Sequence, residues 1–284
     1  MTLALISGGG ELPVYLLNHL NLKREPYILC ELDGAESSFQ DITNKISVRI
    51  ESLGSVLDKL SDAGVKRVCF AGKIGRPKIN ISEVDLSTRP LLPKLYEALK
   101  TGDNEAIKHI ISIFEDRGFS VIGAHEICPE LLASRGLQGK SIPSAFDYFD
   151  VERAMGVLSS VSEADIGQAC IVSGCQILAV ETVGGTDWMM KSLALSKPKS
   201  VLEEKDYEYV RDPSLPGGGL LFKSSKTHQD LRVDMPVIGP ESFKMANKIN
   251  LKGIVVKDGQ VIVLNKKECI RLADKFNLFF LVIE

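Results

Sequence analysis

Lys223, Lys226, His228, Gln229, Asp230, Arg232 and Asp234 crowd into one stretch, Lys-Ser-Ser-Lys-Thr-His-Gln-Asp-Leu-Arg-Val-Asp-Met-Pro-Val-Ile-Gly, at 223–239. Lysine and arginine suit phosphate oxygens, whereas carboxylates suit a divalent metal or an attacking water. Cleavage of a phosphoanhydride needs both kinds of group in one place. A solvated charged loop has the same composition, so the setting decides. Gly217-Gly218-Gly219 lies just upstream, Leu220-Leu221 reads as a strand entering the segment, and Pro236-Val237-Ile238-Gly239-Pro240 leads out into a helix. The charges are held between elements.

The first half alternates strand and helix. Apolar runs at Leu3–Ile6, Tyr27–Cys30, Val65–Ala71 and Phe119–Ile122 predict strands, separated by helical spacing at Leu12–Leu20 and Leu53–Leu60, near Leu91–Leu99, and from about Asn104 to Asp116. That alternation predicts a parallel sheet covered on both faces, with ligands bound beyond the carboxyl ends of its strands. Those ends carry Ser7-Gly8-Gly9-Gly10-Glu11, Gly72-Lys73-Ile74-Gly75-Arg76-Pro77 and Gly123-Ala124-His125-Glu126. Glycine loops let backbone N–H groups approach an anion closely, and Lys73 and Arg76 add positive charge to the same rim.

Residues 136–144 read as a linker by their glycine, serine and proline content. A helix is predicted near Phe149–Ser160, then a strand pair, Ile166–Val172 and Gln176–Val183, turning at Ser173-Gly174-Cys175. Gly184-Gly185 breaks the second strand and offers Thr186 or Asp187 as a helix N-cap. Further on come a helix (Glu241–Lys248), two strands (Gly253–Val256 and Val261–Leu264) read as a hairpin at Asp258-Gly259, a helix (Lys267–Phe276) and a final strand (Leu278–Ile283). The fold class is therefore α/β: a Rossmann-like parallel-sheet domain over 1–135, a linker over 136–145, and a second α/β domain with a mixed sheet over 146–284.

Familiar phosphate motifs fail. Ser134-Arg135-Gly136-Leu137-Gln138-Gly139-Lys140-Ser141 ends like a P-loop, yet Ser134 stands where its first glycine belongs and no strand leads in. Ser7–Pro13 lacks the third glycine of a dinucleotide fingerprint. Metal-cluster signatures of the large phosphoesterase classes are missing too. Glu181 and Asp187 flank Gly184-Gly185, where a carboxylate at a helix N-cap is more often structural than catalytic, and Asp165-Ile166-Gly167-Gln168 also reads as a simple turn.

Composition narrows the class. The 284 residues are 44% hydrophobic and 25% charged with a net charge of −3, so the global field attracts neither nucleic acid nor anionic lipid. No stretch approaches the ~20 apolar residues that span a bilayer. The N-terminus has no basic segment ahead of its apolar run, so a first strand is the better reading than a signal peptide. Cys30, Cys69, Cys128, Cys170, Cys175 and Cys269 are scattered without zinc-site spacing, and are expected to be buried, reduced thiols of a cytoplasmic protein.

Taken in order, Ile6-Ser7-Gly8-Gly9-Gly10-Glu11-Leu12-Pro13, Cys69-Phe70-Ala71-Gly72-Lys73-Ile74-Gly75-Arg76-Pro77, Ile122-Gly123-Ala124-His125-Glu126, Asp165-Ile166-Gly167-Gln168, Val180-Glu181 with Gly185-Thr186-Asp187, and Gln229–Gly239 resemble the UDP-2,3-diacylglucosamine pyrophosphatase family of the LpxI type, over essentially the whole chain. The resemblance implies a two-domain hydrolase of lipid A biosynthesis. It would use Mg2+ to convert UDP-2,3-diacylglucosamine to UMP and 2,3-diacylglucosamine 1-phosphate (lipid X), with water attacking the α-phosphorus. The family's essential aspartate falls on Asp234. Asp234 and Arg232 are then the expected catalytic residues, with Asp234 and Asp230 as metal ligands. Gly8, Gly9, Gly10, Glu11, Gly72, Lys73, Arg76, Gly123 and His125 are expected to bind substrate, as are Gln168, Thr186, Asp187, Lys223 and Gln229. Metal and cations would offset the charge that repels a hydroxide nucleophile. An apolar groove between the domains would take the acyl chains, which implies a transient contact with the inner face of the cytoplasmic membrane. No nucleic-acid partner is expected; the oligomeric state is left open, a homodimer included. A nucleotide-sugar oxidoreductase, marked by tightly bound NAD(H), and a non-catalytic nucleotide or lipid carrier are the competing classes.

Overall fold

The computed structural model describes residues 2–34, 44–75, 78–198 and 207–284. Two compact units emerge: Met1–Glu130 with Asp230–Asp234, and Leu131–Gln229 with Met235–Glu284.

In the first unit, strands β1 (Leu3–Ser7), β2 (Tyr27–Leu32), β3 (Lys45–Val48), β4 (Arg67–Ala71) and β5 (Ser120–Ile122) form one sheet in the order β3-β2-β1-β4-β5. Every pairing is parallel. β1 is buried at every position and β4 at all but its first. Such unbroken apolar strands are what a sheet covered on both faces requires. Helices Glu11–Lys23, Leu53–Asp62, Leu92–Lys100 and Asp103–Glu115 supply the cover. β3 was not foreseen: Lys-Ile-Ser-Val is half polar, and its pairing with β2 makes it the exposed sheet edge.

The second unit is built on a mixed six-stranded sheet. Its members are β6 (Gly136–Leu137), β7 (Ala169–Ser173), β8 (Gln176–Val180), β11 (Leu220–Lys223), β13 (Gly253–Lys257) and β15 (Phe279–Ile283), in the order β6-β15-β13-β11-β7-β8. A hairpin of β9 (Ala194–Pro198) and β10 (Tyr207–Arg211), and a parallel pair of β12 (Val237–Ile238) and β14 (Ile262–Val263), stand apart from it. Alternation along the strands separates two cores. Ile171, Leu221, Ile254 and Phe280 pack on one face, and Cys170, Phe222, Val255 and Phe279 on the other.

Three expectations need correction. The Asp258-Gly259 turn forms, with Gln260 N donating to Lys257 O, but the strands around it are not a hairpin. β13 already has a parallel partner on each side, β11 and β15, so Ile262–Val263 pairs with β12 instead. The N-cap of helix Gly185–Ser192 is Gly184, not Thr186 or Asp187; the Thr186 hydroxyl has a buried carboxylate partner and is not spent on capping. Among the cysteines, Cys175 departs from the expected burial by lying exposed on the β7–β8 turn. Burial pushes the thiols of Cys30, Cys69 and Cys170 up to about 12, which makes them poor nucleophiles.

Between β1 and β4 the chain reverses its direction of travel across the sheet, and there the two backbones touch. Gly8 N donates to Ala71 O at 2.8 Å, Gly9 N to Lys73 O at 2.9 Å, and Lys73 N to Gly9 O at 2.7 Å. A Cβ on Gly8 would stand 2.2 Å from Lys73 O, whereas one on Gly9 would meet nothing closer than 4.0 Å. Gly8→Ala should therefore destabilise the protein by about 1–3 kcal/mol, the range for forced overpacking. Gly9→Ala should cost clearly less. Urea denaturation of the pair checks this; equal losses would show that the close approach is not the constraint.

Candidate functional site

The carboxyl edge of the first sheet carries the glycine loops. β1 runs into Gly8–Gly10, β4 into Gly72–Lys73 and β5 into Gly123. The point where strand order reverses is where open α/β sheets bind ligands. Gly10 has φ +99° and precedes helix Glu11–Lys23 with no side-chain cap, which leaves first-turn N–H groups for an anion. Pro13 donates none, so Glu11 and Leu12 provide those donors. Lys73 contributes its backbone to the Gly9 bridge and its exposed side chain to the rim. Arg76 lies outside the described residues. Gly123 N is capped by the Glu126 carboxylate at 2.7 Å. His125 lies so close over Gly123 that a Cβ there would stand 2.4 Å from its ring. Its buried Nδ1 has no hydrogen-bond partner among the described residues.

Asp230–Asp234 belongs to this same unit although it lies late in the sequence. It forms one tight turn, with Val233 N and Asp234 N both donating to Asp230 O at 3.1 and 3.0 Å. The Asp230 carboxylate closes the turn by accepting from Arg232 N at 3.0 Å. Its two oxygens also take the Arg232 fork, with Nε to Oδ1 at 3.0 Å and Nη2 to Oδ2 at 2.7 Å. Arg232 Nη1 donates to Glu115 Oε1 at 2.9 Å and to Val121 O at 3.5 Å. Val233 packs on the core of the unit. The turn is thus bolted alongside β5, and Asp234 ends it half-buried. The arginine holds the Asp230 carboxyl below the usual carboxylate range, against burial that opposes it; the two carboxylates raise the Arg232 pKa in turn.

The donor set can be tested against Mg2+, which favours oxygen and takes one or two carboxylates plus substrate phosphates. Asp234 fits that chemistry. Asp230 has both oxygens on the guanidinium, which suits it to positioning Arg232. Glu115 was missed in sequence. A carboxylate at a helix C-terminus opposes the dipole, and that misfit was the available signal of a cationic partner.

The remaining candidates lie in the second unit, where β11 ends. The antiparallel register places Lys223 opposite Ala169, so Gln168, just ahead of β7, meets the residues that leave β11. Ser224 N donates to Gln168 O at 3.0 Å, and Gln229 Nε2 to Gln168 Oε1 at 3.1 Å. Lys223 is 4% exposed; its Nζ donates to Thr186 Oγ1 at 2.7 Å and Val237 O at 3.1 Å, while Thr186 donates to Glu181 at 3.0 Å. Lys226 pairs with Asp165 at 2.5 Å. Asp187 is exposed on helix Gly185–Ser192. No helix among the described residues is long and apolar enough to cross a membrane.

Residues 2–131 match the family model of the LpxI N-terminal domain, and residues 134–281 that of the LpxI C-terminal domain. The UDP-2,3-diacylglucosamine pyrophosphatase LpxI of Caulobacter vibrioides is 31% identical over 282 residues, covering 99% of this chain and 97% of the relative.

Asp230→Asn should loosen the turn. At neutral pH it should cost about 1 kcal/mol, a figure reduced for the part of Arg232 left in water. The Asp230 pKa is depressed in the folded state, so its contribution is full above the unfolded value of ~3.9 and is lost as pH falls through the lower folded value. Urea titrations should show the gap between variant and parent at pH 7 and its closure only below about pH 4. A gap that does not change with pH would mean that the carboxylate charge is not what holds the turn.

Proposed function

The chain belongs to the LpxI family, and on that premise we propose that it hydrolyses the pyrophosphate of UDP-2,3-diacylglucosamine to UMP and lipid X. The observation that carries the reading is the end-to-end match to the Caulobacter pyrophosphatase. The turn that carries Asp234, anchored through Arg232 to Glu115 and β5, and the glycine loops at the ends of β1 and β4 belong to one unit, which supports it.

Water adds to the α-phosphorus, the bond from that phosphorus to the bridging oxygen breaks, and the new oxygen stays with UMP. Lipid X leaves with the bridging oxygen. The Gly8–Gly10 and Gly72–Lys73 loops and His125 bind the nucleotide, with backbone N–H groups facing its phosphates. Asp234 orients the water and accepts its proton. Asp230 and Glu115 act through Arg232, which fixes the turn so that Asp234 is preorganised. Lys223, Thr186, Asp187, Gln168 and Gln229 bind the rest of the substrate. Asp234 and the substrate phosphates would hold magnesium, which when bound would supply charge compensation at the phosphorus. The acyl chains bring the enzyme to a membrane surface only while substrate is bound.

In 18O-water with UDP-2,3-diacylglucosamine and Mg2+, label should appear in UMP. Label confined to lipid X would sink attack on the α-phosphorus, and no release of UMP would sink the activity and leave the carrier reading. Asp234→Ala should lose at least about 100-fold in turnover with an unchanged circular dichroism spectrum, the scale of a lost general base. A full-rate variant would remove Asp234 from the chemistry. EDTA should abolish turnover and added Mg2+ restore it; persistence in EDTA would exclude the metal role.

A further inference from the structure

Within the first unit, His19, Cys128 and Glu130 converge at a place the hydrolytic reading does not use. Their donor atoms all lie within 4.8 Å of one another. Glu130 Oε2 faces both partners, at 3.4 Å from Cys128 Sγ and 3.7 Å from His19 Nδ1. As hydrogen bonds these contacts are poor. A thiol is a weak donor, and 3.7 Å exceeds the N–H···O range of about 2.7–3.2 Å. As edges of a coordination tetrahedron they fit well. Metal–sulfur bonds of about 2.3 Å and metal–nitrogen or metal–oxygen bonds of about 2.0–2.2 Å, at tetrahedral angles, put neighbouring ligands about 3.4–3.6 Å apart.

The geometry points to a binding site for a borderline-soft divalent cation of the Zn2+ class, ligated by His19, Cys128 and Glu130. Thiolate and carboxylate neutralise the ion, and imidazole completes a nitrogen–sulfur–oxygen set that Mg2+ disfavours. The site therefore cannot substitute for the magnesium chemistry proposed at Asp234. Cys128 is fully buried and the His19 side chain is 13% exposed, whereas Glu130 is 69% exposed, so the entry side is the glutamate side and water takes the fourth position. Tyr15, one helical turn before His19, lies close enough for Cys128 and Glu130 to add to the rise in its pKa that burial begins. His19 sits on the helix that starts at the Gly8–Gly10 loop. Cys128 and Glu130 follow the short helix, Ala124–Ile127, that starts at Gly123. The ion would clip together the elements behind two of the loops at the ligand-binding edge, and its effect would be structural or regulatory.

The test uses the full chain, stripped with chelator, in a Cys175→Ser background that removes the exposed thiol. Titration with Co2+ should develop a thiolate-to-cobalt charge-transfer band and the intense visible bands of four-coordinate cobalt, saturating at one equivalent. Zn2+ should displace the cobalt and raise Tm. Cys128→Ser should abolish the charge-transfer band. His19→Gln and Glu130→Gln should weaken affinity by more than about tenfold, the lower bound for loss of an outer-shell partner. Glu130→Gln is an exposed change, so its effect is read on a folded protein even if Cys128→Ser does not fold. No band at saturating Co2+, a band that survives Cys128→Ser, or unchanged affinity in both His19→Gln and Glu130→Gln would overturn the site.

Discussion

Two backbones meeting without side chains, at the carboxyl ends of β1 and β4, govern the carboxyl edge of the first unit's sheet. Gly8 and Gly9 bond directly to Ala71 and Lys73, and Gly72, at φ +90°, turns the second chain against the first. A Cβ on Gly72 would stand 2.5 Å from Gly9 O. Any side chain at Gly8 or Gly72 forces the loops apart. With none, N–H groups near the start of helix Glu11–Lys23 stay accessible at the reversal of strand order, where a phosphate can approach them.

The Asp230–Asp234 turn depends on a different force. Five consecutive residues from the second half of the sequence join the first unit, and one guanidinium secures them by bridging Asp230, Glu115 and a β5 carbonyl. Arginine suits this because its planar donors satisfy several acceptors from one rigid group, which a lysine ammonium would not do. Most of the charge that looks available for phosphate in the sequence is already committed. Asp234 ends the turn half-buried.

In the second unit, Lys223 is buried with a hydroxyl and a backbone carbonyl as neighbours and a carboxylate one bond further on. A cation in such a place is costly unless its protons are satisfied, and the Lys223–Thr186–Glu181 chain satisfies them. Gln168 and Gln229 tie the start of β7 to the segment after β11 in the same way. This polar cluster forms because the register of β7 against β11 brings together residues that are far apart in sequence.

Periodicity and glycine placement were enough to read most of the fold, since a strand buried on both faces must be continuously apolar and a tight turn at positive φ must carry glycine. The glycine loops and the Asp230–Asp234 stretch were legible for that reason, and the sequence by itself determined which residues could do chemistry. Tertiary structure alone decided how they are used. Nothing local says that Asp258-Gly259 joins strands from different sheets, that Arg232 is claimed by Glu115, or that Asp230–Asp234 packs with the first unit. Each of those outcomes is a contact between residues distant in the chain, and such contacts are set by which edges and donors the folded neighbours leave open, a quantity that no short window of sequence contains.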